Sequence, residues 1–532
     1  MTQSSLPFTQ SEMHPSRWGN PALAGPLPEA ARGLVEMAFG LDERAAIEAP
    51  AVPACGLGDD VLSALRSVLG DAHVLLDDDT RRLRTRGKST PDLLKMRAGD
   101  LSDAPDVVVR PGTHEDVAAV LALAIEHRLA VVPFGGGTSV TGGLAARRDG
   151  FAGLVSLDLV RMKALVEVDK VSMTATLEPG LRGPEAEALL AEQGLTLGHY
   201  PQSFEYATIG GFAATRSSGQ SSAGYGRFDA LVVALRVATP RGELRLGSSP
   251  ANAAGPDLRQ LILGSEGAFG VITEVTVRVR PVPVEKVYEG WRWSSFEAGA
   301  TAMRTLAQAG LLPSVIRLSD ENETAINLAH PDSIGAEGAA DCLMITGYEG
   351  EHDAVAAKRA AVTAVLEGLG GRCTGEEAGA AWAHGRFNAP YLRDALLDVG
   401  VLAETMETAT FWSNREALYT AVKDALTAEL GDGAIVLCHI SHVYETGCSL
   451  YFTIATKGDA DPLPQWLRAK AAASDAMMAS GATITHHHAV GTDHRPWLTQ
   501  EIGELGASIL RAVKADLDPT GILNPGVLIP DA

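Results

Sequence analysis

The chain has 532 residues, enough for two to four domains with buried cores, and its 46% hydrophobic and 21% charged residues are those of a globular protein. Its 44 Lys and Arg against 66 Asp and Glu give a net charge of −22, which repels a polyanion and argues against nucleic acid as a partner. The five cysteines are dispersed and never spaced as CxxC, no window approaches the ~18 apolar residues of a membrane span, and the N-terminus lacks a basic region followed by an apolar one, so a cytoplasmic protein with reduced thiols is expected.

Residues 1–100 mix Pro/Gly-rich stretches with short amphipathic segments such as Val61, Leu62, Leu65, Val68 and Leu69, and read as a helical N-terminal extension. Over 101–282 the texture changes. The run Val107-Val108-Val109 predicts a strand, Thr113 with Asp116 starts a helix striped by Val117, Val120, Leu121 and Ala124, and Val131-Val132 predicts a second strand. From 283 to 480 the pattern predicts strands near 288–293, 314–318 and 342–347 and helices near 295–308 and 351–369, the order of a ferredoxin-like cap with helices on one face of its sheet. A C-terminal segment, 481–532, carries three consecutive histidines and is expected to pack back on the first domain. The fold class is α+β, and no internal repeat is evident.

Three glycine-rich segments carry the first chemical signal. Pro133, Phe134, Gly135, Gly136, Gly137, Thr138 and Ser139 follow a strand directly, and successive glycines let backbone N–H groups converge on a diphosphate. The segment is neither GxGxxG opening a helix nor a P-loop. The second holds Gln202, Ser203, Phe204, Glu205, Tyr206, Ala207, Thr208, Gly210 and Gly211, with Thr215, Arg216, Ser217 and Ser218 after it. The third holds Glu266, Gly267, Ala268, Phe269, Gly270, Val271 and Ile272. Hairpin turns explain any one of them taken alone. Further along, Leu450, Phe452 and Ile454 share one face of a strand and leave Tyr451 on the other, while His486, His487 and His488 form a run with apolar flanks that suits a metal site or a proton-transfer cluster.

In order and spacing the three glycine-rich segments resemble the flavin domain of the vanillyl-alcohol-oxidase / p-cresol-methylhydroxylase superfamily. The resemblance implies a two-subdomain PCMH-type FAD-binding domain, with FAD held by the residues just named. Some relatives attach FAD through a histidine in the first loop; Phe134 and Thr138 stand there, which favours non-covalent FAD. Together with His199, Arg317, Arg393, Thr405, Tyr451 and the histidine run, residues 85–528 resemble the alkyldihydroxyacetonephosphate synthase family, and its bacterial members most closely. That resemblance implies an exchange without net oxidation, in which an acyl dihydroxyacetone phosphate loses its fatty acid and gains a fatty alcohol. Tyr451 is then expected to move a proton at the carbon beside the ketone, Arg393 to bind the departing carboxylate, and His199, His486, His487 and His488 to supply proton transfer and phosphate contacts. Arg317 and Thr405 line the same site. No metal is expected: in the hydroxy-acid dehydrogenase branch, the alternative reading, Tyr451 replaces a histidine ligand and His487 an acidic one. The family also implies a homodimer, a lipid substrate and peripheral contact with the inner membrane face.

Overall fold

Two sheets in the first half of the chain come from two kinds of strand. Val107–Val109, Gly153–Asp158 and Leu129–Phe134 pair in parallel, and Val74–Leu75 adds an antiparallel edge. Burial on both faces explains why Val107–Val109 reads as an unbroken apolar run rather than an alternating one. The second sheet is antiparallel, in the order Leu165–Asp169, Thr174–Leu177, Val271–Arg278, Val232–Thr239, Gly242–Leu246. The computed structural model describes residues 11–47, 49–326 and 341–531; residues 1–10 of the expected extension and 327–340 of the expected cap lie outside them.

The helix His114–His127 starts where the sequence places it. Thr113 Oγ1 accepts the Asp116 N–H at 3.0 Å, and Asp116 reaches back to the Gly112 N–H at 2.8 Å. Leu62 and Leu65 of the helix Asp59–Leu69 share a core with Val117 and Leu121, so this part of the extension is built into the flavin half. The C-terminal segment also returns there: Leu523 bridges Val131, and Asn524 donates to the carbonyls of Gly143 and Glu266 at 2.9 and 2.7 Å.

The cap is one seven-stranded sheet, ordered Arg372–Gly375, Glu285–Trp293, Cys342–Gly350, Val315–Ser319, Ile435–Ile440, Gly447–Lys457, Val401–Phe411. Its first four strands, with helices Phe296–Gln308 and His352–Gly368, follow the expected ferredoxin-like order. Two expectations are corrected. Val401–Phe411, Arg415–Leu430, Ile435–Ile440, Gly447–Lys457 and Pro462–Ala479 repeat the first five elements of that unit, an internal repeat invisible in the sequence because packing fixes the pattern of burial and not residue identity. Helices also lie on both faces. Ile316, Met344, Leu450 and Phe452 point into the main core, whereas Val315 and Ile345 on the opposite face are covered by Trp382 from the inter-repeat helix Glu377–Gly385.

Candidate active site

One cavity of 1390 Å³ runs between the flavin half and the uncovered part of the cap sheet. Ligand pockets are usually about 300–1,000 Å³, so it has room for a dinucleotide and a second molecule. Residues 133, 135–139, 202–203, 207–208, 210–211, 215, 217–218, 266–267 and 270–272 line one end, which brings all three glycine-rich segments together. A Cβ on Gly136 would stand 2.0 Å from the Tyr206 carbonyl oxygen, so only glycine allows the two loops to meet. Gln202 Nε2, Ser218 Oγ and Gln220 Oε1 are buried on this wall without partners, and they fit the polar edge of FAD.

Seven of the residues expected to hold the cofactor point elsewhere. Phe134 lies under the Arg84 guanidinium at 5.1 Å, Phe204 stacks on Phe387, and Tyr206 packs with Met13 and Trp18. Arg216 donates to the Leu263 carbonyl at 2.9 Å, Ala268 and Phe269 belong to the flavin-domain core, and Glu205 is half-buried off the cavity wall. His199 is likewise off the wall, between Phe212 and Phe228, and meets the site through the cavity-lining Phe212 and Ser217, its Nε2 3.1 Å from Ser217 Oγ. Burial pushes its pKa down to about 3, so it stays neutral.

The other end of the cavity is built on the second cap repeat. Tyr451 stands on the strand Gly447–Lys457, on the face opposite Leu450 and Phe452, as the alternation predicts. Its hydroxyl donates to Thr405 Oγ1 at 3.0 Å, and Thr405 in turn donates to Glu404 Oε1 at 3.3 Å. His439 pairs with Tyr451 across the sheet, and their rings stack at 4.6 Å. Glu323 Oε1 holds both His439 Nδ1 at 3.0 Å and Arg317 Nη2 at 2.9 Å; burial would raise this carboxyl, but the His439 and Arg317 charges keep it at about 2. Arg317 therefore fixes the stack under the phenol as well as lining the cavity. Burial pushes the Tyr451 phenol up to about 12.

Arg393 is less free than a carboxylate receptor needs. Its Nη1 donates to the Lys88 carbonyl at 2.9 Å and its Nε to Asp394 at 3.2 Å, leaving Nη2 buried and unpartnered at the cavity. Arg386, which the sequence reading overlooked, lies 5.0 Å from the ring centres of Tyr200 and Phe387, with Nε and Nη1 buried and unpartnered on the same wall.

Of the histidine run, His487 and His488 line the cavity and His486 does not; its Nε2 meets the Tyr444 hydroxyl at 2.5 Å. Burial holds His488 down at about 3. The run is gathered on Glu407, whose carboxylate accepts the N–H groups of His486, His487 and His488 at 2.7, 3.2 and 2.9 Å and the Thr485 hydroxyl at 2.5 Å. Glutamates at 404 and 407 within a buried strand were the signal that could have found it, since a buried carboxylate needs partners.

Glu266 closes the turn after the run, accepting the N–H groups of Val490 and Gly491 at 2.9 and 3.0 Å. Burial pushes its pKa from 4.5 up to about 7. The folded chain therefore keeps a proton that the unfolded chain releases, and the associated stability is full below about 4.5 and lost as pH rises through 7. Glu266→Gln should flatten this dependence, worth on the order of 3 kcal/mol, in urea midpoints measured between pH 4.5 and 7.5. Parallel pH profiles for the two proteins would rule it out.

Residues 105–247 match the family described as "FAD binding domain" and residues 282–528 that described as "FAD linked oxidases, C-terminal domain". With the cavity between them, these define an FAD-dependent enzyme of the PCMH-type fold. A solved p-cresol methylhydroxylase shares that fold at TM-score 0.70 and 19% identity, covering 90% of this chain and 99% of its own. The alkyldihydroxyacetonephosphate synthase of Trypanosoma brucei brucei is 35% identical over 88% of this chain and 80% of its own, and a solved alkyldihydroxyacetonephosphate synthase superposes at TM-score 0.82 with 29% identity over 97% of this chain and 98% of that one. The chain belongs to the alkyldihydroxyacetonephosphate synthase family.

Proposed function

We propose that the chain replaces the acyl group of an acyl dihydroxyacetone phosphate with a fatty alcohol, without net oxidation. The observation that carries this reading is the hydrogen-bonded line from Tyr451 through Thr405 to Glu404 at the cavity wall. A phenol held near 12 is a poor base at neutral pH, and passing its proton along Thr405 toward Glu404 leaves an oxygen that can take the proton beside the substrate ketone. His488, held neutral by burial, lies against the Tyr451 ring and can accept a hydrogen bond there without taking a charge. Bound FAD would supply the ring system that lets a ketone substrate be held and released without net redox change. Arg386 and the free Nη2 of Arg393 offer two cations, one for the phosphate and one for the departing carboxylate.

The apolar face of the amphipathic helix Glu29–Phe39 supports a lipid substrate. Leu27, Ala31 and Val35 pack with Leu392 and Leu396 at the cavity rim, and Met37 is 84% exposed beside them. This rim favours lipid entry from a membrane surface; among the described residues no helix is long and apolar enough to cross one. A cytoplasmic homodimer belongs to the same reading. FAD is taken as non-covalent, since residues 133–139 contain no histidine; acid denaturation should release all the yellow colour into the supernatant.

The activity is tested by mixing anaerobic holoprotein with palmitoyl dihydroxyacetone phosphate and hexadecanol. Palmitate release matched by ether-lipid formation is expected, and bleaching by D-lactate with the lipid inert would favour a hydroxy-acid dehydrogenase instead. Thr405→Val, which keeps shape and removes the relay hydroxyl, should cut the exchange rate about tenfold, one hydrogen bond's worth, and move its optimum to higher pH. An unchanged pH–rate profile would take Thr405 out of the relay.

A further inference from the structure

His442 has none of the roles assigned above, yet it is buried and its Nδ1 has no hydrogen-bond partner. It follows the strand Ile435–Ile440 and faces the histidine run. Its ring centre lies 5.0 Å from that of His486 and 4.9 Å from that of His487, and those two are 5.1 Å apart. One ring nitrogen from each residue lies within 4.8 Å of the other two, and the Nδ1 atoms of His486 and His487 are already 2.9 Å apart.

Those dimensions are the ones a tetrahedral ion imposes. With metal–nitrogen bonds of about 2.0–2.1 Å, three imidazole nitrogens stand ~3.3 Å from one another and their ring centres ~5 Å. The observed triangle has that size, so the rings need to turn more than they need to travel. The outer contacts that orient ligating imidazoles are also in place: the Tyr444 hydroxyl sits on His486 Nε2, and Glu407 holds the backbone N–H groups of His486 and His487. His442 and His487 line the cavity, which leaves a fourth position open toward it. An all-imidazole donor set suits a borderline divalent ion, not magnesium or calcium, which take oxygen ligands.

We propose that His442, His486 and His487 form a binding site for one zinc-type divalent ion, with its open coordination position facing the cavity. Holoprotein equilibrated with zinc and desalted should carry one zinc per chain by atomic emission, and His442→Phe and His442→Gln should each carry at least tenfold less. Flavin content and circular dichroism report the folding of all three proteins. Wild-type protein with no zinc above a magnesium-treated control, or either folded variant with wild-type zinc, would overturn the proposal. The measurement does not involve the exchange reaction, so it succeeds or fails separately from the proposed activity.

Discussion

Tyr451→Phe is expected to keep FAD at wild-type occupancy and to lose about 10²–10⁴-fold in exchange rate, the range that a positioned acid–base group contributes. The variant keeps the ring that stacks on His439 and removes only the hydroxyl bonded to Thr405. Flavin absorbance checks the first half of the expectation and palmitate release the second. Undiminished turnover would remove the phenol from the chemistry, while loss of flavin would show that Tyr451 has a structural role the geometry does not indicate.

Glu407→Ala should be the most damaging single change outside the reacting groups. It leaves the His486 and His487 N–H groups and the Thr485 hydroxyl without their acceptor in a buried place, at about 1–3 kcal/mol for each group that water cannot reach, while the His488 N–H keeps Thr485 Oγ1 at 3.2 Å. His487 and His488 then lose their fixed positions, and a displacement of an ångström typically costs about 10²-fold in rate. Amide hydrogen exchange over residues 483–491 should accelerate together with the fall in palmitate release; unchanged protection there would refute the anchoring role. Burial would raise the Glu407 carboxyl, but His487, His488 and His486 hold it well below the usual range. Its contribution is therefore complete above the ordinary carboxylate pKa and is lost as acid protonates it.

The parts of this site that could be read from sequence are those written in consecutive residues. Gly135, Gly136 and Gly137, the turn at 264–270 and the alternation around Tyr451 each depend on local rules, and the structure places them at one cavity. What could not be read depends on register between distant strands. His439 is a partner of Tyr451 only because Ile435–Ile440 pairs with Gly447–Lys457 in one alignment, and Glu407 reaches the histidine run only because its strand lies beside the returning C-terminal segment. Phe269 and Arg216 show the converse. Both sit inside strongly patterned motifs, but whether a side chain turns toward the ligand or the core is decided by the packing of the second sheet.

The cap's two repeats have different freedom to change. In the first, Trp382 lies over Val315 and Ile345, so those positions answer to volume, and a polar replacement there is penalised whatever the substrate. In the second, Thr453 lines the cavity, and the helix Ala389–Asp398 covers only the edge at Val401 and Ala455, so polarity at Thr453 can change without disturbing a covering helix. Relatives that act on different molecules should therefore diverge at the second repeat's cavity-facing Thr453 while Val315 beneath Trp382 in the first stays fixed.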